Sequence, residues 1–229
     1  YFSQTPLIVL SADRPPEWIE QQDGQAIHQQ NAFGKHVKSF FQLPVDNDHP
    51  DSAWEIKRKV CEVINSSLEG RQGPAHINIP FREPFYPNEA IEFSSTKAIK
   101  HLKRSKLKLS KETIKELSLQ IQEYSKILIV VGQGNYSKKL SSSIEEWRTP
   151  VISEVLSNFH PITGLITQVD NIFLNTSEEI LPDLIISFGQ SNLAKGLKQK
   201  LRTSKAHHWH IQNHEGKAPD TFQKLNFII

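Results

Sequence analysis

The sequence predicts an α/β protein with doubly wound parallel sheets, and three observations support this prediction. Short apolar runs rich in branched residues recur, as in residues 6–10 (PLIVL) and 127–131 (ILIVV), and such runs are typical of strands buried on both faces of a parallel sheet. Segments with apolar residues at helical spacing separate these runs. Glycine turns follow two of the runs, at Gly132 and Gly189. Strands that alternate with helices in this way indicate repeated βαβ units.

The first part of the chain contains several predicted strands and one helix. The strands cover residues 6–10, 40–45 (FFQLPV) and 74–80 (PAHINIP). The helix is predicted over residues 52–68, because Ser52-Ala-Trp-Glu55 has the spacing of a capping box and apolar residues follow at helical intervals.

The second part repeats this alternation. Helices are predicted from Ser110 to Tyr124 and around residues 140–147, and strands at residues 127–131, 151–152, 184–188 and 209–211. A polar, lysine-rich stretch separates the two parts and has the composition of a solvated linker. We therefore expect two domains, residues 1–88 and 111–229, joined by a linker over residues 89–110.

Composition excludes several classes of protein. The formal net charge is +2, far below the excess of Lys and Arg expected in a protein that is held to nucleic acid by phosphate contacts. No apolar run reaches the length of a membrane span, and the N-terminus lacks the pattern of a signal peptide. The single cysteine, Cys61, agrees with a reducing compartment and a cytoplasmic location. The chain has no methionine, which suggests a piece of a longer protein.

Arg14 is the first candidate functional residue. Pro15 restricts Arg14 to extended geometry, and the pair Pro15-Pro16 ends the strand, so the guanidinium group follows the strand's carboxyl end. Ligands of open α/β sheets bind at this edge, and the planar guanidinium group suits a carboxylate or a phosphate. A surface arginine paired with Asp13 or Glu17 fits the spacing equally well. Spacing alone leaves both interpretations open.

A second candidate is the glycine turn Gly132-x-Gly134. It follows a strand, and Glu154 comes about 20 residues later, so the segment partly matches a dinucleotide-binding fingerprint. Ser137 replaces the third glycine, which leaves close packing of the helix against the turn unassured. A strand-to-helix turn that needs flexible residues is the better interpretation.

Four histidines and one lysine complete the candidates. His207, His208, His210 and His214 lie close together, and two of them at alternate strand positions could bind a metal ion. No cysteine or carboxylate has matching spacing, so a polar strand face is the preferred interpretation. Lys195 follows a strand and its glycine turn, again at the ligand edge of a sheet, although a solvated lysine is the simpler interpretation.

Two blocks of the first part resemble a known enzyme family. They are residues 6–17 (PLIVLSADRPPE), followed by Gln25-Ala-Ile27, and residues 73–87 (GPAHINIPFREPFYP). In this order and at this separation they resemble 2-succinyl-5-enolpyruvyl-6-hydroxy-3-cyclohexene-1-carboxylate synthase, a thiamine-diphosphate-dependent enzyme of menaquinone biosynthesis. Among thiamine-diphosphate enzymes the two blocks are fairly specific to this family, whereas the glycine turns of the second part are shared widely.

The resemblance implies that the chain is an internal fragment of a larger enzyme. Residues 1–88 would be the C-terminal part of a pyrimidine-binding domain, and residues 111–229 a Rossmann-like central domain. The glutamate that activates the cofactor would lie upstream, and the residues that bind diphosphate and Mg²⁺ (or Mn²⁺) downstream. The fragment alone would therefore bind no cofactor and be inactive, whereas the intact enzyme would be a homo-oligomer.

For the intact enzyme the resemblance implies a transferase reaction that forms a carbon–carbon bond. 2-Oxoglutarate would be decarboxylated on thiamine diphosphate, and the succinyl carbanion would add to isochorismate. The cofactor supplies the electron sink, and the protein must hold two substrates rich in carboxylates.

The resemblance also assigns residues to the substrates. Arg14 matches an arginine that holds a carboxylate, Gln25 matches a substrate-contacting glutamine, and Lys195 matches the first of two adjacent basic residues of the central domain. The chain departs from the family pattern at Gly196, which replaces the second basic residue, and at Gly24, which stands in place of an asparagine.

Two alternatives stay open. One is another thiamine-diphosphate enzyme that acts on a 2-oxo acid, such as a decarboxylase or an acetolactate-synthase-like enzyme. The other is a non-catalytic nucleotide-binding module built on Gly132-x-Gly134.

Overall fold

The computed structural model describes residues 1–22, 24–46, 48–82, 98–99, 108–174, 177–214 and 217–229. These residues form an α/β fold with parallel strands, which confirms the predicted fold class. The chain divides into two compact units, Tyr1–Arg104 and Ser105–Ile229. The predicted linker, residues 89–110, lies outside the described residues except for 98–99 and 108–110. Within the described ranges no helix is long and apolar enough to cross a membrane.

The first unit contains a three-stranded parallel sheet and one long helix. The strands are β1 (Leu7–Asp13), β2 (Phe40–Gln42) and β3 (Pro74–Pro80), in the order β1-β3-β2, and the helix is α1 (Pro50–Leu68). α1 covers one face of the sheet, where Val63, Ala75 and Ile77 form the buried centre of the core. Because the strands are parallel, all of them end at one edge, and Arg14 follows directly after β1.

Two predictions for the first unit were wrong in detail. β1 is not buried on both faces, because it is an outer strand of this sheet and Leu10 is 63% exposed. α1 begins at Pro50, two residues before the predicted start. Its N-cap is His49, whose Nδ1 atom accepts a hydrogen bond from the Asp51 backbone N–H at 3.2 Å. Proline is favoured at the first helical position because it has no N–H to satisfy, which explains the earlier start.

The second unit is a six-stranded parallel sheet with helices on both faces. Its strands are β4 (Ile127–Val131), β5 (Val151–Ser153), β6 (Leu165–Ile166), β7 (Leu184–Phe188), β8 (His207–Ile211) and β9 (Leu225–Ile228). Its helices are α2 (Lys111–Gln120), α3 (Lys138–Glu146), α4 (Val169–Leu174) and α5 (Lys195–Thr203). Apolar residues of α4 and α5 pack on one face, and those of α2 and α3 on the other. This arrangement is doubly wound.

The strand order of the second sheet reverses between β4 and β7. The order is β6-β5-β4-β7-β8-β9, so the chain builds outward from β4 on one side and then returns to add β7 on the other side. The carboxyl ends of β4 and β7 therefore flank the switch point of the sheet. Doubly wound folds bind their ligands at this point.

Candidate functional site

Asp13 fixes the backbone of Arg14 at the carboxyl edge of the first sheet. Asp13 Oδ1 accepts a hydrogen bond from the Arg14 backbone N–H at 2.9 Å, and Oδ2 accepts one from Asn78 Nδ2 at 2.7 Å. Asn78 lies on β3 and is fully buried. The Phe81 backbone N–H also donates to the Asp13 carbonyl oxygen at 3.0 Å. Arg14 thus follows a carboxylate that is anchored in the middle strand of the sheet.

A chain of hydrogen bonds continues from Asn78 along the same face. The Ser11 hydroxyl donates to Asn78 Oδ1 at 2.9 Å and lies 2.7 Å from His76 Nε2. Since the hydroxyl proton is used on Asn78, His76 Nε2–H donates to the serine oxygen, which defines the histidine tautomer. Burial lowers the pKa of His76, and the ring centroids of Phe33 and Phe40 lie 4.9 and 5.0 Å from that of His76. His76 is therefore a neutral structural residue at neutral pH.

Arg82 joins two loops at this edge. Its Nε and Nη2 atoms donate to Asp46 Oδ1 and Oδ2 at 2.9 and 3.1 Å, and Nη1 donates to Glu17 Oε1. The paired contact with Asp46 is the bidentate geometry that suits a guanidinium group and a carboxylate. Hydrogen bonds from Arg82 lower the pKa of both Glu17 and Asp46. The 3₁₀ turn Pro16–Trp18 is thereby tied to the end of β3.

Arg14 itself is half-buried at this edge, in the position that the end of the strand predicts. Of the two carboxylates near it in sequence, Asp13 accepts a hydrogen bond from Asn78 and Glu17 accepts one from Arg82. The role of Arg14 toward a ligand stays a prediction.

Gln25 and Gly24 lie in the segment between β1 and β2. Gln25 is exposed, and its φ of 64° lies in the left-handed region, which is uncommon for a residue with a side chain. Such backbone conformations are concentrated at functional sites. A Cβ atom at Gly24 would meet no atom within 4 Å, so the asparagine that the family pattern expects would find space. The contact of Gln25 with substrate stays a prediction.

Lys195 lies at the carboxyl edge of the second sheet, as the first residue of α5. Its side chain is exposed, whereas the neighbouring Gly196 is buried. The Gly196 backbone N–H donates to Asp170 Oδ1 at 2.8 Å. The structure therefore holds the backbone at Lys195 while leaving its ammonium group accessible.

Glu154 caps the N-terminus of α5. The N-cap residue Ala194 has no side-chain acceptor of its own. Glu154 Oε2 accepts a hydrogen bond from the Leu193 backbone N–H at 2.6 Å, and Oε1 accepts one from the Ala194 backbone N–H at 2.8 Å. A carboxylate at this position also interacts favourably with the helix dipole.

The glycine turns after β4 and β7 pack directly against each other at the switch point. The Gly132 N–H donates to the Phe188 carbonyl oxygen at 2.8 Å, and the Gln190 N–H donates to the Gln133 carbonyl oxygen at 2.8 Å. A Cβ atom at Gly132 would lie 2.2 Å from the Gln190 carbonyl oxygen. Gly132 is therefore required for the close approach of the two turns.

Tyr136 covers these turns. Its hydroxyl donates to the Gly132 carbonyl oxygen at 2.8 Å, and burial raises the pKa of Tyr136 to about 12. Its ring lies edge-on to Phe159 and Phe188. A dinucleotide needs unused N–H groups at such a turn, but here the Gly132 N–H is bonded to the neighbouring strand. The structure therefore argues against a dinucleotide site and supports the interpretation of a packed turn.

The predicted polar strand face holds two of the four histidines. His208 and His210, on β8, are 1% and 4% exposed. His208 Nε2 and His210 Nδ1 lie 2.6 and 2.8 Å from the Ser187 hydroxyl oxygen on β7, and His208 Nδ1 lies 3.9 Å from Asp220 Oδ1. Burial lowers the pKa of both histidines, that of His208 to about 4.

The donor set for the metal of a thiamine-diphosphate enzyme is not found in the part of the chain that the structure describes. There, no group of three or more His, Cys, Asp or Glu side chains could hold a metal ion. In the turn at the switch point the Gly132 and Gln133 N–H groups donate to the Phe188 and Ser191 carbonyl oxygens, so these two groups are not available to a diphosphate. The basic side chains that the structure describes at the carboxyl edges of the two sheets include Arg14, Arg82 and Lys195.

Several residues of these edges were missed in the sequence. Asn78 and Arg82 were visible only as parts of a block, since their partners are distant in sequence, as Asp46 is from Arg82. Glu154 was noted for a different reason, its spacing from the glycine turn. One signal could have found its role: α5 begins without a Ser, Thr, Asp or Asn cap, so its first N–H groups need an acceptor from elsewhere.

Both units are α/β with parallel strands, and proteins of this class bind their ligands at the carboxyl edges of such sheets. No family model matches the chain. Over its full length the chain is 45% identical to a protein of Cytophaga hutchinsonii and 35% identical to a protein of Porphyromonas gingivalis. Over 99% of its length it is 32% identical to a protein of Desulfotalea psychrophila. Each relative is named 2-succinyl-5-enolpyruvyl-6-hydroxy-3-cyclohexene-1-carboxylate synthase, and the chain spans 40 to 43% of their lengths. Over its whole length the chain is similar to these synthases, which confirms the predicted resemblance.

Proposed function

We propose that the chain is part of an enzyme that joins 2-oxoglutarate to isochorismate with loss of CO₂, in menaquinone biosynthesis. The observation that carries this proposal is the 45% identity over the whole chain to a synthase whose name states its product. That product carries a carboxylate on its succinyl group, on its enolpyruvyl group and on its ring. An enzyme that makes it must hold several negative charges at once.

Arg14, Gln25 and Lys195 are the residues of this chain that we assign to the substrates. Arg14 offers a planar fork of N–H donors to a carboxylate, and the bond from its amide to Asp13 supports a fixed position for it. Gln25 offers an amide, and Lys195 offers an exposed ammonium group at the start of α5. Fixed donors of this kind lower the entropic cost of bringing two substrates together.

The proposal assigns the electron sink for decarboxylation to thiamine diphosphate, with Mg²⁺ or Mn²⁺, in the longer protein. Residues 1–88 then belong to the pyrimidine-binding domain and residues 111–229 to the central domain. The chain alone supplies residues that hold the substrates and is inactive. The longer protein is a cytoplasmic homo-oligomer.

The test is an assay of the full-length protein. With thiamine diphosphate and Mg²⁺ present, we expect consumption of isochorismate that depends on 2-oxoglutarate and releases CO₂. Omission of either acid or of the cofactor must stop the reaction. If isochorismate is not consumed under any of these conditions, the proposed reaction is wrong.

A second candidate function is that of another thiamine-diphosphate enzyme acting on a 2-oxo acid. Thiamine-dependent CO₂ release from pyruvate or another 2-oxo acid, without any use of isochorismate, would favour it. The nucleotide-binding module is disfavoured by the packed turn at Gly132 and by Tyr136 above it. Addition of NAD is expected to leave the melting temperature of the chain unchanged.

A further inference from the structure

We propose that Glu154 is a positioning residue, which sets the place of the Lys195 ammonium group by holding the backbone in front of it. The inference rests on the proposed function, in which Lys195 binds a carboxylate of a substrate. Glu154 does not itself contact the substrate in this proposal. It acts through the backbone of residues 193–196.

Hydrogen bonds to two carboxylates hold the backbone on either side of Lys195. Leu193 and Ala194, the two residues before Lys195, donate their N–H groups to the two oxygens of Glu154 at 2.6 and 2.8 Å. Gly196, the residue after it, donates its N–H to Asp170 Oδ1 at 2.8 Å. Carboxylates from two different segments thus hold the peptide groups on both sides of Lys195. Glu154 lies in the loop after β5, and Asp170 lies in α4.

Glu154 is itself held in place by Ser157. Its carbonyl oxygen accepts hydrogen bonds from the Ser157 N–H at 2.9 Å and from the Ser157 hydroxyl at 2.6 Å. Ser157 is 1% exposed and also contacts the Ser153 hydroxyl at the end of β5. The loop that carries Glu154 is therefore anchored to the buried end of β5. Through its hydrogen bonds to Leu193 and Ala194, Glu154 fixes the start of α5 relative to that strand.

Glu154 also changes the electrostatics at the start of α5. The N-terminus of α5 carries a partial positive charge and unused N–H groups, which could themselves attract an acidic substrate. Glu154 offsets this charge through its bonds to the two N–H groups that lead into the helix, and Asp170 occupies the Gly196 N–H group in the first turn. The exposed ammonium group of Lys195, one residue further on, is then the cation that an incoming carboxylate meets.

Glu154→Gln is an informative substitution because both carboxylate oxygens are in use. An amide has one oxygen and one NH₂ group, so the variant can accept only one of the two N–H groups and places a donor against the other. The side-chain volume is almost unchanged. The expected consequence is a shift of the first turn of α5 rather than loss of the fold.

The matched control is Asp183→Asn. Asp183 also binds backbone N–H groups through both oxygens, those of Ser125 at 2.9 Å and Lys126 at 2.9 Å. These bonds lie at the opposite, amino-terminal edge of the same sheet, where β4 and β7 begin. The control therefore removes the same charge and the same kind of hydrogen bond away from Lys195.

The experiment is a double-mutant cycle in the full-length protein, with Glu154→Gln, Lys195→Ala and both together. We expect Lys195→Ala to raise the KM of one of the two acids, and Glu154→Gln to raise the KM of the same acid by about tenfold, since a small misplacement of a binding group has effects of this order. In the Lys195→Ala background Glu154→Gln should change KM by less than about twofold, because coupled residues are not additive. Asp183→Asn should lower the melting temperature and leave both KM values unchanged.

Three results would overturn the inference. Glu154→Gln could leave both KM values unchanged, or it could raise KM equally with and without Lys195, which would show that it does not act through Lys195. Lys195→Ala could have no effect on either KM, and the inference would then fail together with the assigned role of Lys195. In that case the proposed reaction is still tested independently, by whether the unaltered full-length protein consumes isochorismate.

Discussion

Asn78 Nδ2 donates to Asp13 Oδ2 at 2.7 Å, and this bond joins the middle strand of the first sheet to the carboxylate next to Arg14. The other oxygen of Asp13 accepts the Arg14 backbone N–H. A fully buried amide on β3 thus determines where the chain leaves the sheet and where the guanidinium group begins. The candidate site depends on this buried residue as much as on the exposed ones.

Asn78→Ala is expected to destabilise the first unit. The variant removes the acceptor of the Ser11 hydroxyl proton and the side-chain donor to Asp13 Oδ2, and loss of a buried hydrogen-bond partner costs about 2 kcal/mol. Urea denaturation measures the free energy of unfolding. The control is Gln42→Ala, an exposed neighbour that accepts only a longer bond of 3.3 Å from Asn78. Equal losses for the two variants would contradict the central position of Asn78.

Gly132→Ala is expected to destabilise the second unit by about 2 to 3 kcal/mol, since overpacking against a rigid backbone costs energy of this order. The new methyl group would lie 2.2 Å from the Gln190 carbonyl oxygen. Gly24→Ala is the matched control, because a Cβ atom there meets no atom within 4 Å. Thermal unfolding of both variants tests this prediction. A Gly132→Ala protein as stable as the control would mean that the two turns do not pack as described.

His208 is expected to make the second unit sensitive to acid. Burial, followed by the charge of His210, lowers the pKa of His208 from 6.5 to about 4, although Asp220 acts in the opposite direction. Between these pH values the unfolded chain binds a proton that the folded chain does not. The free energy of unfolding should therefore fall as the pH drops through this range, by on the order of 3 kcal/mol, and His208 should contribute no pH dependence above it.

Melting temperatures measured across this pH range test the role of His208. His208→Gln should flatten the decrease at acid pH, even if it lowers the melting temperature at neutral pH. His160→Gln, at a half-buried histidine of the same unit, is the control and should keep the full decrease. An unchanged slope in His208→Gln would exclude His208 as the cause.

The sequence predicts most strands of this fold and the helices α1, α2 and α3, because their signals are local. β3, β4 and β7 lie at the predicted residues, and Ser110 caps α2 as its position suggests. β6 and α4 were not predicted, since two and six residues are too short to show a period, and α5 and β9 were not predicted either. The apolar run at residues 6–10 correctly predicts the strand β1. It does not predict the exposure of Leu10, because burial of a strand residue depends on which distant segments pack against it.

The candidate site was less predictable than the fold. The position of Arg14 could be predicted because the end of the strand and the two prolines after Arg14 are local sequence signals. The partners that fix the two carboxyl edges come from distant segments: Asn78 lies 65 residues after Asp13, and Ala194 lies 40 residues after Glu154. No periodicity or spacing links such pairs. They become visible only when parallel strands bring their ends to one edge.

The most direct test of the central claim is the KM of the full-length enzyme for its two acids after substitution of Arg14. Arg14→Ala should raise the KM for one acid by at least about tenfold, since a charge-assisted bidentate contact contributes roughly 1.5 to 3 kcal/mol, and Arg14→Lys should recover only part of the loss. Arg71→Ala, at an exposed arginine near the opposite edge of the sheet, should leave both values unchanged. Arg14→Ala with unaltered KM and kcat for both acids would contradict the assignment of this edge to substrate binding.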